Sequence, residues 1–262
     1  RRIHENNVIG TMNLLAAAGA ADSSVQSVVV KSSTLVYGSS ERDPYWFRED
    51  DRRPQPAHTR VERTLLEVES YLRAFAEDHT DRRVAVLRFG NVLGPNIVTP
   101  ISKSLSRPFV PRIAGFDPQL QFVEEEDVVR ALAFAVEHQL DGVYNVAGPG
   151  RLPWSEVLAL AGKQALPLSP VFTSLAALPL ARLRIFDLRP EVLDVLRFGR
   201  GVDTDKIRRA GFTFRHTTAS AVATFAEAQR LRQTVGEVKP TYRYQADVEA
   251  FFRHSPAVVH PA

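Results

Sequence analysis

Two apolar, β-branched runs, each preceded by a helical pattern, constrain this chain more than any other feature. VQSVVV leads into KSSTLVYGSS (31–40), and RVAVLRFG occupies 83–90. Short runs of this kind, bounded by turn residues, read as buried strands. Ahead of the first, ENNVIGTMNLLAAAGAA (5–21) sets Val8, Met12, Leu15 and Ala18 on one helical face. Ahead of the second, residues 60–79 do the same with Leu65, Val68, Leu72 and Phe75. Helix, strand, helix, strand predicts an α/β fold with a parallel sheet, because parallel neighbours need a long crossover and a helix supplies it.

The pattern continues less regularly. EEEDVVRALAFAVEH (124–138) predicts a helix whose acids sit in the first turn, where the macrodipole favours them. GVYNVAGPG (142–150) predicts a strand entering a turn, and Pro153 sits near the start of a helix in WSEVLALAG. Short helices are expected within 202–211 and 217–232, and the last thirty residues read as a partly ordered tail.

Composition removes several function classes. There is no cysteine, which excludes disulfides and thiolate metal sites and suits a reducing, cytoplasmic setting. The net charge is only +3 and the arginines are scattered without a basic stripe, so no nucleic-acid partner is expected. The most apolar stretch, 166–186, is broken by three prolines and two arginines, so no membrane span is expected. No metal site is expected from the scattered histidines, and no G-x-S-x-G elbow marks a hydrolase.

NNVIGTMNLLAAA, VVVKSSTLVYGSS, VAVLRFGNVLGP, QLQFVEEEDVVRAL and GVYNVAGPG occur in this order between about residues 5 and 225. Together they resemble the NAD-dependent epimerase/dehydratase family, the extended short-chain dehydrogenases. The resemblance implies a Rossmann-like parallel sheet that binds NAD or NADP, closed by a smaller C-terminal domain over a nucleotide sugar. It implies a division into 1–150 (the remaining part of the Rossmann domain, with substrate-domain segments interleaved), 151–235 (mainly the substrate domain) and the tail 236–262. It also makes a homodimer through the two helices a possible assembly.

Measured against that family, two features are missing. No G-x-x-G-x-x-G or G-x-G-x-x-G occurs, so no backbone cradle for a pyrophosphate is present. The chain opens RRIHENNVIG without an initiator Met, and the first βαβ units are expected upstream of Arg1. On that expectation this polypeptide alone does not hold NAD as the family does. The second absence is chemical: the resembled enzymes use a tyrosinate with a lysine four residues on, and no tyrosine here has one. Counting from LVYG puts His58 and Glu62 at the two positions, and anchoring on LLEVE puts Val61 and Leu65 there.

Residue by residue, the resemblance makes Ser33 the substrate-orienting hydroxyl, flanked by Ser32 on the cofactor side and Thr34 on the substrate side. Tyr37 packs near the cofactor, Asn6 lies near the nicotinamide and Asn91 contacts the nucleotide sugar. His58 is a candidate base, since its ordinary pKa lies near neutrality. Each has a plain structural alternative: strand-end caps for the hydroxyls, a helix N-cap for Asn6, a solvated loop histidine for His58. Leu120 and Glu124 stand where the family often has Arg and His, which weakens the expectation of a UDP-sugar. Three functions are therefore compatible: a nucleotide-sugar oxidoreductase or epimerase with an altered catalytic set, a non-catalytic NAD(P)-binding sensor or scaffold, and a reductase of a non-sugar alcohol.

Overall fold

The alternation of side chains along one central strand organises the first half of the molecule. The computed structural model describes residues 2–169 and 189–235. Strand β2 (Arg83–Phe89) lies between β1 (Ser27–Ser33) and β7 (Gly142–Val146), all parallel, with Val28 opposite Val84, Ser33 opposite Phe89 and Leu87 opposite Tyr144. Successive residues of β2 point to opposite faces. Val84 and Val86 enter a core with Leu15, Ala18, Leu72 and Phe75, from helices α1 (Arg2–Gly19) and α2 (Arg60–Asp78). Ala85, Leu87 and Phe89 enter the opposite core, with Val128, Ala131 and Ala135 of α4 (Glu125–Glu137). Helices thus cover both faces, the doubly wound arrangement in which a strand carries apolar residues on both of its sides, as Val84 to Leu87 do.

The helical reading of 5–21 holds, with one correction in its buried face. Val8, Leu15 and Ala18 are buried, but Met12 is 44% exposed. At about 100° per residue, Ala18 draws the buried stripe towards Thr11 and leaves Met12 on the outer edge beside exposed Ile9. Helix α2 opens with a capping box: Thr59 accepts the Glu62 amide and the Glu62 carboxylate accepts the Thr59 amide.

A third core gathers around Trp154, which is fully buried and donates its indole N–H to the Pro111 carbonyl at 3.0 Å. It is built from α3 (Pro100–Leu105), β4 (Phe109–Ile113), α5 (Trp154–Leu160) and α6 (Pro190–Phe198), with Ala221, Val222 and Phe225 of the last helix. Short parallel pairs join β3 (Asn91–Leu93) to β6 (Phe122–Glu124) and β4 to β9 (Gln164–Leu168), while β5 (Gln119–Leu120) meets β8 (Leu152–Pro153) antiparallel. Helix α7 (Asp205–Arg209) follows the predicted position.

Residues 1–227 form one compact unit and 228–262 a second, of which the described part is the end of helix α8 (Thr218–Val235). The expected tail, and most of the apolar stretch 166–186, lie outside the described residues. Among the described residues no helix is long and apolar enough to cross a membrane.

Candidate functional site

KSSTLVYG leaves the carboxyl end of β1 and turns at once into a short 3₁₀ helix, Thr34–Tyr37. Ser33 caps that turn: its Oγ accepts the Leu35 amide at 3.2 Å. The turn is anchored by a buried polar network. Arg88, on β2, donates Nε and Nη2 to the carboxylate of Glu69 on α2 at 2.7–3.1 Å. Its Nη1 donates to the Tyr37 hydroxyl at 2.7 Å and to the Glu49 carbonyl at 2.9 Å. Tyr37 in turn donates to Asn145 Oδ1 at 2.8 Å and stacks on Phe47, ring centroids 4.6 Å apart. Ser32 donates its hydroxyl to Glu69 at 2.6 Å.

This geometry decides what the tyrosine can do. Burial pushes the Tyr37 phenol up to about 12, outweighing the opposite pull of Arg88 and its hydrogen bonds. At neutral pH Tyr37 is therefore a neutral phenol held by two partners, a frame element that keeps its proton.

Above this frame lies a cavity of about 300 Å³ at the carboxyl ends of β1 and β2. In an open parallel sheet that edge is where ligands bind. Ser33 and Asn91 line it; Ser32 touches it with its hydroxyl committed to Glu69. Asn91 gives one amide proton to the Gln121 carbonyl at 3.2 Å. The hydroxyl proton of Ser33 has no acceptor among the described residues and is available to a ligand oxygen. Leu35, Val61, Phe89, Ile101 and Val192 supply apolar wall. The side chain that α2 presents there is Val61, the residue reached by anchoring on LLEVE.

Thr34 is 2% exposed, does not line the cavity, and accepts Arg200 Nε at 3.2 Å. His58 does not line it either. Its Nε2 lies 2.9 Å from Asp194 and its Nδ1 3.7 Å from Glu62, so it joins the loop before α2 to α6. Asn6 falls within α1, but its side chain lies outside the described residues. Glu124, Glu126 and His216 bring potential ligand atoms within 4.8 Å of one another. Both carboxylates are engaged already, Glu124 by the Glu126 amide and Glu126 by Arg215.

The sequence reading missed the cations. Lys31 is exposed, yet its Nζ lies 5.7 Å from the Phe89 ring centroid, and desolvation lowers its pKa. Its signal was legible: one of five lysines, at a strand end, on the same face as Ser33. Arg88 also announced itself, as a charge inside an otherwise apolar strand that must find a partner. Arg200 carries no local signal; only the tertiary fold brings it beside Thr34.

A family model for the NAD dependent epimerase/dehydratase family matches residues 1–147. Uncharacterized protein Rv0501 of Mycobacterium tuberculosis is 36% identical over 221 residues, 84% of this chain and 58% of that protein. Mb0513 of Mycobacterium bovis matches to the same extent, so the chain spans 58% of the length of these curated relatives. Among solved structures, dTDP-glucose 4,6-dehydratase of Bacillus anthracis with NAD superposes with a TM-score of 0.67 at 16% identity, covering 89% of this chain and 70% of that one. MoeE5 with UDP-glucose and NAD gives 0.64 at 25% identity, covering 88% and 72%. With its parallel sheet and its strand-end serines, the chain belongs to the NAD dependent epimerase/dehydratase family.

Proposed function

We propose that this chain supplies the reacting end of an NAD(P)-binding protein that takes a nucleotide sugar, with a catalytic set differing from the usual one. The carrying observation is the cavity at the carboxyl ends of β1 and β2, with Ser33 and Asn91 on its floor. Its size, about 300 Å³, suits a ring-sized group, at the lower end of ligand pockets. The residues present thus fit the reacting end of a cofactor–sugar pair; the sequence contains no glycine fingerprint to hold the diphosphate.

In this reading Ser33 donates its hydroxyl proton to a sugar oxygen while the Leu35 amide fixes its lone pair. Asn91 supplies a second polar contact, and the aliphatic wall excludes water. A bound nicotinamide would supply the hydride acceptor or donor. Ser32, Thr34 and Tyr37 support the floor from beneath. Asn6 near the nicotinamide and a homodimer complete the reading by resemblance; a cytoplasmic location suits the cysteine-free composition, and His58, the candidate base, would have to act from outside the cavity lining.

A specific observation favours a second reading. Val61 is what α2 offers the cavity, where a proton-transfer group would stand. An aliphatic side chain cannot exchange a proton, so this supports a binding member of the family that senses or scaffolds without turnover. Fluorescence titration of NAD(H), followed by assays with UDP-glucose and UDP-galactose on the protein carrying this chain, separates the two. The expected result is cofactor binding without measurable epimerisation. Turnover in the ordinary enzyme range, ~1–10³ s⁻¹, would refute the altered catalytic set, and Ser33→Ala and His58→Ala would then locate the chemistry.

A further inference from the structure

The charge lining the cavity is unbalanced. Among the described residues its wall carries Lys31, Arg189 and Arg200 against one carboxylate, Glu191. Glu191 lies 3.5 Å from Arg189, which leaves the excess on Lys31 and Arg200. Arg200 is the unusual member. It is 7% exposed, and no carboxylate among the described residues comes within 4 Å of it. Nε donates to Thr34 Oγ1 at 3.2 Å, and Nη1 to the Gly38 carbonyl at 2.9 Å and Ser39 Oγ at 3.2 Å. Nη2 makes no hydrogen bond with any described residue. The nearest acids are occupied elsewhere: Asp43 accepts from Ser40, and Glu62 from Arg53 and the His58 and Thr59 amides.

Burying a guanidinium without a counter-charge is costly. Here burial lowers its pKa to about 10, and it still carries its proton at neutral pH. Such a cation is stable beside a cavity when an anion completes it. Its position narrows which anion. Arg200 holds Thr34, the neighbour of Ser33, and Lys31 precedes Ser33 by two residues on the same strand face. The two charges therefore flank the hydroxyl at the reacting end, in a cavity whose remaining wall is largely apolar.

We propose that this cavity recognises a carboxylate on the substrate's ring, held by Arg200 and Lys31 on either side of Ser33. The substrate class is then a sugar acid of the uronate type in place of a neutral hexose. The inference rests on the reading of the cavity as the sugar site. A carboxylate oxygen can accept from the remaining Nη2 of Arg200, a charge-assisted hydrogen bond, and Lys31 adds a point charge.

The test is calorimetric titration with D-glucuronate, D-glucose and inorganic phosphate, then with UDP-glucuronate and UDP-glucose, on wild type, K31Q and R200K. Thermal melts confirm folding, and K31Q, at an exposed position, keeps the test valid if R200K is unstable. The acid should bind about tenfold or more tightly than its neutral counterpart, the worth of one charged hydrogen bond. Both variants should shrink that preference severalfold. Equal binding of acid and neutral sugar, or an undiminished preference in the variants, would overturn the proposal. Phosphate binding more tightly than glucuronate would make this a phosphate subsite and overturn it too. If glucuronate binds selectively but neither nucleotide sugar does, the nucleotide-sugar reading fails and the carboxylate site stands.

Discussion

Arg88→Met is the most informative perturbation of the frame beneath the cavity. Arg88 and Glu69 form a bidentate pair whose side chains are 8% and 6% exposed, and Arg88 also holds the Tyr37 hydroxyl. Removing the cation leaves a buried carboxylate with one neutral donor, Ser32. Breaking such a pair from one side costs about 3–5 kcal/mol. At roughly 2–4 °C per kcal/mol for a domain of this size, the midpoint should fall by about 6–20 °C. The double variant Arg88→Met, Glu69→Leu removes both charges, and a buried ion pair replaced by apolar groups is often near neutral. It should therefore melt above Arg88→Met, despite carrying one more change. Thermal and urea denaturation of wild type, both single variants and the double variant complete the cycle. A loss under about 1 kcal/mol in Arg88→Met, or a double variant no better than the sum of the singles, would refute the account of a frame held by this pair.

Three further outcomes follow from particular residues. The folded pKa of Tyr37 is raised to about 12 from an ordinary 10, so the stability tied to its neutral form is complete below pH ~10 and is lost as pH rises towards ~12, by roughly 2–3 kcal/mol. Tyr37→Phe should remove that alkaline slope, and an unchanged slope in urea melts against pH would count against it. Gly199 sits at φ +71 after α6, and an added Cβ would lie 2.4 Å from the Gln119 carbonyl. Gly199→Ala should cost at least ~1–2 kcal/mol from backbone conformation alone, and a wild-type melting temperature would contradict that. Thr59→Ala removes the side-chain half of the α2 capping box and should cost about 1 kcal/mol, measured the same way.

The sheet was legible because its signal is local. The runs at 25–33 and 83–90 contain their own periodicity, and the structure places strands at Ser27–Ser33 and Arg83–Phe89. Helix α2 was equally plain, since Leu72 and Phe75 lie on the predicted face and are buried. Met12 misled because helical spacing alone cannot say which edge of an apolar stripe meets the core. At the site, Ser33 and Asn91 were named through the family resemblance, and both line the cavity. Arg200 was invisible because it meets Thr34 across more than 160 positions of sequence. Val61 could be recognised only once the first turn of α2 was fixed in space, since two registers competed for it.

The ties from Tyr37, Arg88 and Glu69 also bear on how this site can change over time. Ser33 rides on a turn cross-braced to a strand and a helix at once, so its hydroxyl keeps its alignment whatever occupies the space above. Altering that floor to suit a new substrate would mean replacing several interlocked partners together, a step that single substitutions do not reach. The walls carry no such burden. Ile101 on α3 and Val192 on α6 face the cavity through aliphatic contacts alone, and each can be exchanged without orphaning a buried charge. New specificities are accordingly accessible from the walls inward, with the floor serving as a fixed datum.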